Sequence, residues 1–199
     1  MNKKLGLISS IVLTVTVILF ALGMIIGKSY LSYFVCIILS WSYILLTCSL
    51  ATEVISEKKA FAFGGIAFSC LYGVIINIVY YTQLTTVASK TASEEILNVL
   101  SYESLGSLMF NLNIFGYGLM AISTFLIGMA ITPITRNDRW LKNLLMVHGI
   151  FAPSCVIIPM LNVFKSNSSD SDIMGIAVLL VWCIYFTPVG ILSIYHNKH

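Results

Sequence analysis

Charge is scarce in this chain. Asp, Glu, Lys and Arg make up 10% of its 199 residues, against about 25% in an ordinary soluble domain. Hydrophobic types reach 58%, and mean hydropathy is +0.95. A fold of this length cannot hide so much apolar surface, so a water-soluble globular domain is excluded and a lipid bilayer is the solvent that fits. The 11 basic residues are scattered singly or in pairs, which excludes nucleic acid as a partner. Cysteine in polar loops is lacking as well. Cys36, Cys48, Cys70, Cys155 and Cys183 all lie in apolar runs, and no Cys-x-x-Cys pair occurs. Neither a disulfide framework nor a zinc site is expected, and the five read as small residues packed between helices.

Catalytic signatures are missing too. There is no Gly-x-Ser-x-Gly, His-Glu-x-x-His, P-loop or dinucleotide fingerprint. Glu94-Glu95 resembles the paired glutamates of CAAX-type intramembrane proteases, but the pair lies in a polar loop and no Arg follows. A haem bundle needs axial ligands, normally several histidines, and only His148 falls within an apolar run. The chain is therefore expected to be neither an enzyme nor the carrier of a metal or cofactor.

What the chain does have is long apolar runs. A bilayer core about 30 Å thick needs roughly 20 apolar residues per helix. Six runs qualify, at about 5–27, 30–51, 60–83, 105–132, 140–164 and 173–195. They predict an all-α integral membrane bundle of six transmembrane helices, forming one domain over 1–199. The basic residues set its orientation. Eight of them (Lys3, Lys4, Lys58, Lys59, Arg136, Arg139, Lys142 and Lys198) fall on one side, and Lys28, Lys90 and Lys165 on the other. Both termini are then cytoplasmic. Frequent Ile and Lys with only two Arg point to a low-GC bacterium, hence to a bacterial plasma membrane. Between the third and fourth spans, Thr91-Ala92-Ser93-Glu94 matches a capping box ahead of an apolar stretch, predicting a short outer-surface helix over about 92–103.

No Asp, Glu, Lys or Arg lies mid-span, which argues against a proton relay or ion-coupled pump. Neutral polar and small residues take their place. Gly65, Ser69, Gly73, Asn77 and Tyr81 recur every four residues on the third span, and Asn113, Tyr117, Ala121, Thr124 and Gly128 share a face of the fourth. Small residues let helices approach closely, so these two faces are expected to pack together. At 1.5 Å per residue Asn77 and Asn113 both fall roughly 7–9 Å outward of centre, where they are expected to meet. Gly23-x-x-x-Gly27 suggests close packing of the first span against the second. The fifth span contains Pro153 and Pro159 and the sixth Pro188, which remove amide donors and would free the carbonyls of Gly149, Cys155 and Ile184. His148, Ala152, Cys155, Pro159 and Asn162 share a face of the fifth span.

Two readings of these polar faces follow. In one, Asn77, Tyr81, Asn113, Tyr117, His148 and Asn162 line an outer-half pocket that binds or passes a small uncharged or lipophilic molecule, alone or as a transporter subunit. In the other they only hold helices together, and the chain is a non-catalytic accessory, assembly or immunity-type membrane protein with a protein partner in the membrane. In size and span count the chain resembles the substrate-binding subunits of energy-coupling-factor vitamin transporters. Those usually carry Ala-x-x-x-Ala on the first helix, where this chain has Ser9-Ser10-Ile11-Val12-Leu13-Thr14-Val15-Thr16. The segments Val79–Leu84, Asn113–Met120 and Phe186-Thr187-Pro188 resemble a family of small bacterial multi-pass membrane proteins with no assigned function; that resemblance implies no activity.

Overall fold

The computed structural model describes residues 1–161 and 169–198, with side chains for 1–161 and 176–198. It is all-α. The helices are α1 (Asn2–Ile25), α2 (Ser29–Ala51), α3 (Lys59–Thr82), α4 (Glu94–Leu100), α5 (Leu108–Ala130), α6 (Arg136–His148), α7 (Phe151–Met160) and α8 (Ser169–Lys198). The described connections include a 3-10 turn at Ser56–Lys58 and a π-helical turn at Gln83–Val87 that prolongs α3. Six stretches are long and apolar enough to cross a membrane: Asn2–Ile25, Ser29–Ala51, Ser56–Val87, Leu108–Ala130, Arg136–Met160 and Ile176–Lys198.

Around the bundle the neighbours run α1, α2, α3, α5, then α6 with α7, then α8, which returns to α1. Both chain termini lie at one end, called here the termini end; the α1–α2 turn, the π turn and α4 lie at the other, the loop end. The first hairpin closes tightly for a stated reason. Gly27 takes φ +65°, and the N–H groups of Gly27 and Lys28 bond back to the carbonyls of Met24 (3.2 Å) and Gly23 (2.8 Å). That is a Schellman ending, which needs a residue without a Cβ penalty. Gly23 then lets Ser32 of α2 lie against the α1 backbone. Gly27 makes the turn rather than the contact.

The interior is an aromatic circuit. Ring centroids run from Tyr43 (α2) to Tyr72 (α3) at 5.6 Å, to Tyr117 (α5) at 6.1 Å, to Trp182 (α8) at 5.1 Å, to Phe186 at 4.9 Å, and back to Tyr43 at 6.2 Å. Four helices thus share one packed layer, and edge-to-face contacts of this kind add about 0.5–1.5 kcal/mol per pair beyond burial. The Tyr43 hydroxyl donates to Ser123 Oγ (2.8 Å), which donates to the Gly65 carbonyl (2.7 Å), so one chain of bonds links α2, α5 and α3.

At the termini end Asp138 ties three helices. Thr135 and Asp138 form a capping box at the start of α6, and Asp138 Oδ2 accepts the N–H groups of Thr135 (2.7 Å) and Ile134 (3.1 Å). Its other oxygen lies 2.7 Å from His196 Nδ1 of α8, whose Nε2 lies 3.6 Å from Glu53 beyond α2.

The structure corrects several expectations. No capping box forms at Thr91–Glu94: Ser93 precedes α4 without a side-chain bond, and the Thr91 hydroxyl pairs with Ser89 (3.0 Å) instead. The short helix spans only Glu94–Leu100. α3 and α5 are neighbours, but their small-residue faces do not mate along their length. Gly65 meets Ile127 of α5, whereas Gly73 meets Ile44 of α2 and Ser69 lies 3.0 Å from Thr47 of α2. α3 runs between two partners, so a stripe repeating every four residues, which winds around a helix of 3.6 residues per turn, passes from one to the other. The fifth span is two helices rather than one kinked helix. It breaks at Gly149–Ile150, ahead of Pro153, and the Gly149 carbonyl is not freed but accepts the Ala152 N–H (3.1 Å). Pro153 thereby sits in the first turn of α7, where no N–H is missed.

A Cβ at Gly128 would lie 3.0 Å from the Met146 nitrogen and 3.1 Å from the Lys142 carbonyl, both backbone atoms of α6. At Gly64 it would meet only the flexible end of Leu126 (3.1 Å). Gly128→Val is therefore expected to cost about 1–3 kcal/mol of stability and Gly64→Val much less. Unfolding of the two purified variants in one detergent checks this; equal losses would refute the α5–α6 contact.

Candidate functional site

The polar side chains inside the bundle fall into two groups. Most hydroxyls satisfy themselves on their own helix. Ser10, Thr14, Thr124 and Ser193, for example, donate to carbonyls three or four residues earlier at 2.6–2.9 Å. This back-bonding is the cheapest way to place a hydroxyl in an apolar helix.

His148 is satisfied on both sides. It is 1% exposed. Trp182 Nε1 lies 3.1 Å from its Nε2, and an indole N–H can only donate, so Nε2 is the acceptor. Nδ1 therefore carries the proton and donates to Thr124 Oγ1 (2.8 Å), which passes its own proton to the Ala121 carbonyl (2.9 Å). Tyr185 stacks on the ring at 5.8 Å, and the Tyr185 hydroxyl donates to the Leu144 carbonyl (2.5 Å). The imidazole is a neutral link between α5, α6 and α8, with no ring nitrogen left to offer.

The other expected site residues do not share one lining. Asn77 donates to Ser40 (2.8 Å) and the Gly73 carbonyl (2.6 Å) and accepts from Trp41 (3.0 Å), so it faces α2 and does not pair with Asn113. Tyr81 is 64% exposed on the outside of the bundle. Asn113 and Tyr117 do point inward and are buried. Asn162 lies outside the described residues, as do loop residues 165–168.

A different place has the shape of a site. At the loop end a half-open cavity of about 300 Å³ lies among α1, α2, α3, α5 and α8. Phe20, Met24, Phe110, Ile176 and Leu179 give it apolar walls. Ser29, Ser32, Tyr33, Tyr80, Tyr102 and Glu103 supply its polar groups. Pockets of this kind, apolar with a few placed polar groups, are the usual form of a small-molecule site, and this one is at the small end of the range. Tyr33 stacks on Tyr80 at 5.5 Å, and Tyr102 lies 6.0 Å from both. The hydroxyls of Tyr33 and Ser29 both donate to Glu103 Oε1 at 3.2 Å.

Gln83 fixes the wall that carries Tyr102 and Glu103. This buried amide donates to the Leu100 carbonyl and accepts the Tyr102 N–H, both at 2.8 Å. The π turn that begins at Gln83 adds a residue to the end of α3, and such insertions frequently mark functional sites.

Two lining groups are buried without a hydrogen-bond partner among the described residues: Ser32 Oγ and Tyr80 Oη. Asn113 Oδ1 and Asn197 Oδ1 are two more such atoms, both away from the lining. The polar neighbours of Tyr80 Oη are the Cys36 thiol and the Tyr117 hydroxyl, neither in bonding geometry. Native structures contain few such atoms, and each calls for a partner or a role.

The sequence reading did not name Ser32, Tyr33, Tyr102 or Glu103 as lining residues. Tyr102-Glu103 belongs to an irregular loop whose position depends on the distant Gln83, so spacing carried no signal for it. No family model matches the chain, and comparison with curated proteins and with solved structures also gives no match.

Two outcomes are expected from these contacts. His148→Phe and Trp182→Phe should each cost about 1–2 kcal/mol, and the double variant less than the sum, because each single change strands the other partner. Denaturant titration of the four proteins in one detergent reads this; strict additivity would mean that the bond is absent. Gln83→Leu should leave the bundle folded but speed hydrogen exchange at the Tyr102 amide, which donates to the Gln83 side chain; unchanged protection there would refute the anchoring role.

Proposed function

We propose that this chain is a multi-pass protein of a bacterial plasma membrane, with both termini cytoplasmic, that binds a small and mainly apolar molecule in the cavity at the outer end of its bundle. The membrane reading rests on the distribution of side chains. Ile8, Ile11, Val15 and Leu22 face outward on α1 while Ser9, Ser10, Thr14 and Thr16 are buried. Val181 and Ile184 on α8 are 62% and 74% exposed. A protein in water would reverse this arrangement, and lipid reconciles it. The excess of basic residues at the termini end supports a cytoplasmic side for that end.

The observation that supports binding is the cavity itself, with apolar walls, three packed tyrosines and one carboxylate. Bound ligand adds stability in proportion to the logarithm of its concentration above Kd, so a thermal-shift screen of purified protein against small lipophilic compounds reads it directly. A hit should vanish in Leu105→Trp and in Met24→Trp, which place an indole into the cavity from two different walls. Absence of any hit across broad libraries, with copurification of one membrane partner, would favour an accessory or assembly role instead.

Orientation has its own test. On a Cys-free background, external maleimide should label Asn98→Cys on α4 and spare Lys59→Cys in intact cells. The opposite pattern would overturn the placement of the termini.

A further inference from the structure

The geometry points to an organic ammonium as the polar head of the molecule that this cavity takes, with an alkyl or aryl tail lying on its apolar floor. This rests on the cavity being a binding site and adds the charge of the ligand. Four observations carry it. Among the described residues that line the cavity, Glu103 is the one that bears a formal charge, and no Lys, Arg or His lies within ion-pairing distance of it. Both hydroxyl donors reach the same oxygen, Oε1, and among the described residues no bond is made to Oε2 of this exposed carboxylate, so a ligand can reach it from the open side of the cavity. Beside the carboxylate stand the partly exposed rings of Tyr33 and Tyr102, 6.0 Å apart, and a cation over a tyrosine face is attracted by the ring quadrupole. Phe20, Met24 and Leu179 supply apolar lining, which suits a hydrocarbon tail and not a second charge.

The carboxylate is positioned and not merely present. Ser29 follows the α1–α2 turn, Tyr33 lies one helical turn further along α2, and Gln83 holds the loop that brings Glu103 to both. An anionic head would meet Glu103 with like charge, and an uncharged head would leave the carboxylate unused. Two sources share the chemistry of an ammonium on an apolar tail: a free amphiphile and an aminophospholipid of the surrounding leaflet.

The experiment uses the full chain purified in an uncharged maltoside detergent. Calorimetric titration compares hexyltrimethylammonium, 1-hexanol and hexyl sulfate, which share a tail and differ in the charge of the head. Native mass spectrometry compares phosphatidylethanolamine with phosphatidylglycerol. The ammonium should bind on the order of tenfold or more tightly than the alcohol, and the sulfate least. Glu103→Gln, which keeps an oxygen for Tyr33 and Ser29, should remove that preference and leave hexanol binding unchanged. Glu103→Lys should turn the preference toward the sulfate. Binding of the short ammonium identifies a free amphiphile, and selective retention of phosphatidylethanolamine alone identifies the lipid; either upholds the ammonium head. Equal binding of ammonium and alcohol, or equal loss of both in Glu103→Gln, would overturn it while leaving the cavity a binding site. Failure of all five probes to bind the folded protein would remove the binding site as well.

Discussion

A polar group placed between apolar helices has no water to fall back on, and this constraint shapes the interior. Leaving such a group unpaired costs several kcal/mol in hydrocarbon. The chain meets the constraint in three ways. Hydroxyls on a single helix turn back onto their own carbonyls. Side chains between helices form short relays, such as Tyr43 to Ser123 to the Gly65 carbonyl and Trp182 to His148 to Thr124. The remaining aromatic rings close into a circuit that leaves little space at mid-depth. Polar atoms without partners are therefore informative by contrast, and two of them lie among the cavity residues.

The same constraint explains why His148 is a poor marker of function here. An isolated histidine within an apolar span looks like a sensor or a ligand when only the sequence is seen. Its neighbours decide otherwise. A donor-only indole on one side and a hydroxyl on the other fix one tautomer and engage both nitrogens. The contribution of His148 is to hold α8 against α5 and α6, beside the Trp182 that completes the aromatic circuit.

Hydropathy made much of the fold legible. Six runs of about the right length stood out because apolar length is a local property, and five of the helices begin and end within a few residues of them. The break in the fifth was not legible. Two prolines suggested a kinked helix, whereas the chain stops at Gly149, whose missing Cβ lets the segment press against Phe125 and the Met146 carbonyl. Nor was the partner of each polar face. A stripe on α3 says that something packs closely there, but Gly65 and Gly73 face different helices, and only the arrangement around the bundle reveals it.

The cavity was the least legible part, for a reason that applies to sites of this kind. Its lining comes from five helices and one irregular loop, and the only polar lining residues related by a helical repeat are Ser29 with Ser32 and Tyr33. What assembles it is the Gln83 amide, which sits at a π turn and spends its bonds on the backbone of Leu100 and Tyr102 rather than on a ligand. In sequence Gln83 is only the last residue of the third apolar run. In the structure it sets the loop that carries Glu103, and Glu103 gives the cavity the one charge among its described lining residues. The carboxylate reaches the site from outside the apolar spans, so a search confined to mid-span charge could not find it. The absence of charge within the spans argues against ion coupling, yet it leaves recognition of a charged head at the bundle's end fully open to the chemistry found there.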